Sequence, residues 1–244
     1  IDRLTQKLYE MGVKIKPNAT IGANLTVDDL FRDGFKAVFI GTGVWRPSKI
    51  NVKGESLGHV HYAIEYLRNP SVYNLGKTVA IIGAGNVAKG ESTITARDHE
   101  VEYAKIDGVR FEFYKTAVEF VDGGVMLADT KVTVDEDGCE IAEPIPGTEQ
   151  LFSADSVIIA ISQGPRAVIV SSSKGIDVDE VGLVKTDEFG RTSRKGVFAS
   201  GDVVTGAKTV VEAVRIAKKV ADAIDDYIQT EYGHSEEQAE TSVS

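Results

Sequence analysis

Lys77-Thr78-Val79-Ala80-Ile81-Ile82-Gly83-Ala84-Gly85-Asn86-Val87-Ala88 is the stretch that decides the fold. Lys77 to Ile82 is a compact apolar run, the pattern of a strand covered on both faces of a parallel sheet. It stops in glycine, and Gly83-x-Gly85-x-x-Ala88 fits the G-x-G-x-x-G/A spacing of a strand–turn–helix that receives a dinucleotide. Each small residue has a physical role in that spacing. Gly83 permits the tight turn, Gly85 lets a pyrophosphate approach bare backbone, and Ala88 lets helix and strand pack closely. Taken alone, the same spacing equally describes a tight turn between packed elements.

Two other strands end the same way. Ala37-Val38-Phe39-Ile40 runs into Gly41-Thr42-Gly43, and Val197-Phe198-Ala199-Ser200 runs into Gly201-Asp202. Glycine after a parallel strand admits a phosphate or a second backbone where a Cβ would stand. Asp202 has the chemistry to accept hydrogen bonds from ligand hydroxyls, or simply to cap the next helix. The helix opening at Lys208-Thr209-Val210 would turn its first N–H groups toward an anion. Ser156 to Ile161 is another buried strand, followed by Ser162-Gln163-Gly164-Pro165. Ligands of open α/β sheets bind beyond such strand ends, which makes Gln163 and Gly164 candidates. Trp45 and Arg46 lie in the Gly41–Pro47 loop, suited to ring stacking and phosphate contact or, equally, to packing.

Outward from these strands, Ile1, Leu4, Leu8 and Met11 mark an amphipathic helix ended by Gly12, and Val13–Ile15 reads as a short strand. Thr26 caps a helix over Val27–Phe31, stopped by Gly34. Val60, Ala63, Ile64 and Leu67 have helical spacing, and Thr95 to Ile106 is a further helix. Val109–Tyr114, Ala117–Val121, Val125–Leu127 and Lys131–Val134 read as antiparallel strands, with turns at Asp122-Gly123-Gly124 and Asp135–Gly138. Val210, Val214, Ala217, Ala221, Ile224 and Ile228 predict a long amphipathic helix, and the polar sequence after Tyr232 predicts a disordered tail.

Composition narrows the function. Twenty-seven Lys and Arg stand against 37 Asp and Glu, a net charge of −10 over 244 residues, which disfavours a polyphosphate partner such as nucleic acid. No run approaches the length of a membrane-spanning helix. A single cysteine, Cys139, excludes an internal disulfide and fits the reducing cytoplasm. Four scattered histidines have no metal-ligand spacing. His59 and His61 read as capping or solvent groups at a helix start.

Three motifs in order resemble the flavoproteins of the pyridine nucleotide-disulfide oxidoreductase family. Ala37–Gly43 with Pro47 is similar to their segment crossing between two nucleotide domains, Gly83–Ala88 to their NAD(P)H site, and Thr192–Asp202 to their second FAD motif. Within that family, Gly83-Ala84-Gly85-Asn86-Val87-Ala88, Ile161–Pro165 and Gly201–Ala213 look most like the glutamate synthase small (beta) subunit and its relatives. The resemblance implies FAD and NAD(P)H as cofactors, hydride transfer from NAD(P)H to flavin, and electrons passed to an iron–sulfur partner such as the glutamate synthase large subunit. It implies no catalytic acid–base residues. The residues it assigns to cofactors are Gly41, Thr42, Gly43, Pro47, Gly83, Gly85, Asn86, Val87, Ala88, Gln163, Gly164, Gly201, Asp202, Lys208, Thr209 and Val210.

Two departures accompany the resemblance. The family's N-terminal FAD fingerprint and the iron–sulfur domain before it have no counterpart here, so the sequence reads as a fragment, inactive alone. After Ala88, Lys89-Gly90 follows where a crossover helix and second strand are expected, which predicts a physical break between Ala88 and Lys89. The expected fold is α/β, with two interleaved Rossmann-like lobes of three-layer ββα type, one incomplete. Residues 1–71 and 169–230 form the FAD-type lobe, 72–168 the NAD(P) lobe, and 231–244 the tail. Uncovered apolar surface is expected to favour a homodimer. The competing reading is a non-catalytic nucleotide-binding or subunit-assembly module.

Overall fold

The structure, a computed structural model, describes residues 2–83, 98–134, 140–166 and 168–241. In chain order its elements are α1 (Asp2–Glu10), α2 (Val27–Arg32), β1 (Val38–Ile40), β2 (Arg46–Pro47), β3 (Val60–Tyr62), α3 (Ala63–Arg68), a 3-10 turn (Pro70–Val72) and β4 (Val79–Gly83). There follow α4 (Asp98–Ile106), β5 (Lys115–Val121), β6 (Gly124–Val134), β7 (Glu140–Pro144), β8 (Gln150–Ser153), β9 (Ser156–Ala160), β10 (Gln163–Gly164), α5 (Val168–Ser172), β11 (Val197–Ala199), α6 (Asp202–Thr205) and α7 (Val210–Thr241). The chain divides into two compact units, Ile1–Val44 with Gly164–Ser244, and Trp45–Gln163.

In the first unit β1 and β11 pair in parallel, Val38 opposite Val197 and Ile40 opposite Ala199. Val27, Ile40, Ile176, Val184, Val197, Ala199 and Val203 form one core, and Phe198, Val220 and Ala223 a second beneath α7. Thr26 caps α2 by a full reciprocal box: its Oγ1 accepts the Asp29 N–H at 3.1 Å while the Asp29 carboxylate accepts the Thr26 N–H at 2.8 Å. The Thr26 N–H, together with the Thr26 hydroxyl that donates to the same carboxylate oxygen at 2.7 Å, holds the Asp29 carboxyl below its ordinary range. Arg194 ties α2 to the strand–loop layer, pairing with Asp28, donating to the Lys174 carbonyl and lying over the Phe31 ring.

The second unit has a parallel sheet ordered β3-β9-β4. β9 is central, and Ser156, Val157, Ile158 and Ile159 are all buried, as expected of a strand covered on both faces. An antiparallel layer, β5-β6-β7 with β8 also paired to β6, lies in the same unit. Ala117, Phe120 and Val125 from that layer join Ala80, Ile82, Val157 and Ile159 in one core.

Several expectations are corrected. Val13–Ile15 forms no strand; Val13 and Ile15 are exposed and have no ladder partner. Val60–Tyr62 is strand rather than the start of a helix, because it pairs in parallel with Val157–Ile159. Segment 45–71, assigned by sequence to the first lobe, thereby contributes to the second sheet. Val109–Tyr114 is irregular: without a neighbouring strand its alternation has no ladder to join, and Phe111 and Phe113 stack on each other at 5.9 Å. Val125–Leu127 and Lys131–Val134 are one continuous strand, β6. α7 is helical as far as Thr241, where a disordered tail was expected. Its buried stripe is Val220 and Ala223 flanked by Ile216, Ile224 and Tyr227, while Val210, Val214 and Ala221 are exposed. The turn expected at Asp135–Gly138 and the break expected between Ala88 and Lys89 lie outside the described residues.

Candidate functional site

In the first unit, the pairing of β1 with β11 sets two glycine ends side by side. The Ser200 N–H donates to the Ile40 carbonyl at 3.3 Å, so Gly41-Thr42-Gly43 and Gly201-Asp202 leave the sheet from adjacent carboxyl ends. Gly201 adopts φ +75° and ψ −156°, a conformation that costs a side-chain-bearing residue on the order of 1–3 kcal/mol. A Cβ at Gly201 would meet Ala213 Cβ at 3.9 Å and nothing nearer. The glycine therefore serves backbone conformation rather than relief of a close contact. Gly43 likewise has φ +67°. At Gly41 a Cβ would stand 2.8 Å from the ring of Phe39, itself 47% exposed and able to turn aside.

Asp202 opens α6, and its Oδ1 accepts the Lys208 N–H at 3.2 Å, which fixes the loop leading into α7. Thr209 caps α7, its Oγ1 accepting the Glu212 N–H at 3.3 Å. Lys208, Thr209 and Val210 are exposed, so the α7 entrance faces solvent. One unit thus brings together Gly41, Thr42, Gly43, Gly201, Asp202, Lys208, Thr209 and Val210. The bare strand ends and the first amides of α7 suit a phosphate-bearing or carbonyl-bearing ligand.

In the second unit the carboxyl ends of the parallel strands are Tyr62, Ala160 and Gly83. Gly83 stands opposite Ala160, and a Cβ on it would fall 2.5 Å from the Ala160 carbonyl oxygen. Close approach at Gly83 is used by the protein's own neighbouring strand. Gly85, Asn86, Val87 and Ala88 lie outside the described residues. Gln163 is half-buried just beyond β9. The Ser48 N–H donates to the Ser162 carbonyl at 3.1 Å, which brings the segment carrying Trp45, Arg46 and Pro47 to the carboxyl end of the central strand. Gly164 belongs to the first unit.

Charged groups in the second unit are fastened structurally. Asp155 accepts the Thr78 N–H at 2.8 Å and the Lys77 N–H at 2.7 Å, and these bonds hold its carboxyl below the usual range. Glu55 accepts from the Ile50 and Asn51 amides and from the Tyr62 hydroxyl. Burial, with the Glu55 bond second, pushes the Tyr62 hydroxyl up to about 12. No local spacing in the sequence marks Asp155 or Glu55, because most of their partners are backbone amides. His59 and His61 flank Val60 at β3, just before α3 opens at Ala63. The Nε2 of His59 is buried without a hydrogen-bond partner, and burial holds the His61 imidazole below its ordinary range. Among the described residues no group of three His, Cys, Asp or Glu side chains is placed to hold a metal ion, and no helix is long and apolar enough to cross a membrane.

Comparison with known proteins adds five findings. The pattern of the family described as pyridine nucleotide-disulphide oxidoreductase matches residues 2–217. The chain is 33% identical over 259 aligned positions to the NADP(+)-dependent formate dehydrogenase subunit beta of Moorella thermoacetica, covering 92% of this chain and 36% of that one. It is 30% identical over 270 positions to the glutamate synthase (NADPH) small chain of Halomonas elongata, covering 93% and 57%. Both alignments are longer than the whole 244-residue chain, so each relative carries residues inside the matched region with no counterpart here. Among solved structures, FprA of Mycobacterium tuberculosis in complex with NADPH superposes with TM-score 0.70 at 14% identity, covering 98% of this chain and 73% of that one. Thioredoxin reductase of T. acidophilum gives TM-score 0.60 at 24% identity over 80% and 66%. These likenesses show the fold: Rossmann-like α/β lobes with parallel sheets and an added antiparallel layer.

Proposed function

The chain belongs to the pyridine nucleotide-disulphide oxidoreductase family, and from that premise we propose that it is the nucleotide-binding core of an FAD-dependent NAD(P)H oxidoreductase of the glutamate synthase small-subunit kind. It spans little more than half the length of the glutamate synthase relative and about a third of the formate dehydrogenase one. In the complete enzyme, bound NAD(P)H would supply a hydride to FAD, whose electrons pass to an iron–sulfur partner such as a glutamate synthase large subunit. Names among the relatives fit that role: one is a subunit of an NADP(+)-dependent formate dehydrogenase, another a small chain of NADPH glutamate synthase. The stretch alone is inactive in this reading, works in the cytoplasm, and pairs as a homodimer through its uncovered apolar surface.

The observation that carries the proposal is Gly201: a conformation suited to glycine, kept at a strand end where the nearest packing contact of a Cβ outside its chain neighbours would be an ordinary one, Ala213 at 3.9 Å. A glycine kept for conformation at a strand end suits a ligand resting on bare backbone. Gly41, Thr42, Gly43, Gly201 and Asp202 hold the flavin side, with Lys208, Thr209 and Val210 offering the α7 amides. Pro47, Gly83, Gly85, Asn86, Val87, Ala88, Gln163 and Gly164 serve the pyridine nucleotide. Asp202 orients ligand hydroxyls with the carboxylate oxygen that the Lys208 amide leaves uncommitted.

A flavin absorbance scan of the purified chain, followed by NADH and NADPH titrations, tests this. Saturable binding of either reduced nucleotide is expected. Absence of binding for both nucleotides and for FAD favours the second reading, a non-catalytic assembly module. Gly83 supports that second reading, because its missing side chain serves the Ala160 strand.

A further inference from the structure

We propose that the solvent face of α7 is an interface on which a second copy of this chain docks antiparallel, helix against helix, about a two-fold axis at Ala221. The inference rests on the homodimer of the reading above and assigns its surface. α7 lies wholly in the first unit. Its core-facing stripe is Val220 and Ala223 with Ile216, Ile224 and Tyr227. Val214, Ala221 and Ile228 stand seven residues apart, so they fall in one column beside that stripe. Val214 is 51% exposed, Ala221 is exposed and Ile228 is half-buried. An apolar column at this repeat, left facing water, is the kind of seam that a second helix covers. It begins beyond Lys208, Thr209 and Val210, the cofactor candidates at the α7 entrance.

Charge decides what covers it. Between Ala213 and Ile228 the exposed charges are segregated: Arg215, Lys218 and Lys219 come before Ala221, and Asp222, Asp225 and Asp226 come after it. A parallel copy would set like charges side by side. An antiparallel copy sets the basic half of each helix against the acidic half of the other. That is the self-complementarity a closed two-fold pair requires. With Ala221 of the two copies on the axis, Val214 lies across from Ile228, seven residues to either side. Lys218 then stands within one residue of Asp225 on the second copy, and the symmetry makes two such pairs. Within one chain Lys218 and Asp225 are two turns, about 10 Å, apart. Among the described residues neither has an ion-pair partner. The small side chain of Ala221 lets the helix axes approach to the near end of the usual range of about 8–10 Å.

Sedimentation equilibrium of the 244-residue chain, at loadings from about 1 to 300 µM, measures the dimer constant. It compares wild type with Lys218→Glu, Asp225→Lys, the double variant carrying both changes, and Ala221→Arg. Circular dichroism and urea midpoints at the lowest loading are the folding controls. Wild type is expected to dimerise in the micromolar range. Each single reversal turns two attractions into repulsions and weakens the dimer about tenfold. The double variant restores it, because the exchanged charges meet again across the axis. Ala221→Arg sets two like charges on the axis and leaves the chain monomeric. A monomeric wild type overturns the proposal and leaves this face to a different protein. A dimer that none of the variants weakens also overturns it, and places the homodimer contact elsewhere on the chain. A double variant no tighter than the singles overturns the antiparallel arrangement. NADH and NADPH titrations of the same samples report on the nucleotide-binding reading separately, so the failure of one is not the failure of the other.

Discussion

Gly83 and Gly201 look alike in the sequence, each closing an apolar strand, yet their surroundings differ. Gly83→Ala drives a methyl into the Ala160 carbonyl and is expected to lower unfolding free energy by about 1–3 kcal/mol, read from urea denaturation. Gly201→Ala meets no such clash; its cost of roughly 1–3 kcal/mol comes from backbone conformation. If FAD rests on that backbone, the variant loses more flavin affinity than its stability change accounts for, measured by flavin retention at matched folded fraction. The residue scale also holds a pH prediction. Backbone bonds depress the Asp155 carboxyl in the folded state, so its stabilisation is present above the unfolded value of 3.8 and is lost as pH falls through the lower folded value. Urea midpoints taken from pH 6 downward should show an acid-side decline that is smaller in Asp155→Asn.

At the scale of elements, legibility tracked whether an element's partners are local. The Thr26 cap was readable because the whole motif spans three residues, and Thr26→Ala is expected to cost about 1 kcal/mol, seen as a lower thermal midpoint. The glycine-ended strands were readable because parallel strands advertise burial on both faces. Val109–Tyr114 alternates as a strand should, but a strand exists only with a neighbour, and the sequence carries no sign of whether one is present. Val60 misled because i, i+3, i+4 spacing continues into the genuine helix at Ala63, while register with β9 claims the three residues before it. Polarity beyond Tyr232 hides the α7 extension: one glycine, Gly233, costs a helix only about 1 kcal/mol, and the Glu- and Gln-rich run beyond it tolerates helix well. The buried face of α7 predicts its energetics. Phe198→Ala, beneath Val220 and Tyr227, is expected to cost about 3–5 kcal/mol, whereas Val211→Ala at the exposed entrance stays within about 0.5 kcal/mol by the same denaturation assay.

At the scale of the whole molecule, the division falls at residues 44/45 and 163/164, where the sequence places it near 71 and 168. A boundary cannot be read from composition when the crossover segment is apolar enough for either side. Trp45–Arg68 follows the second unit because β3 pairs with β9 and because Lys53, Gly54 and Glu55 fasten the intervening loop. Gly54 is the sharpest sign of that fastening, since a Cβ there would fall 2.0 Å from the Phe120 carbonyl oxygen. The candidate cofactor residues were legible as strand ends; what those ends face was not, and only space around each glycine separates Gly201 from Gly83. The central place of β9 has one more consequence. In heavy water, Val157, Ile158 and Ile159 should be the last amides of the second unit to trade protium for deuterium, because opening them requires both flanking strands to part first.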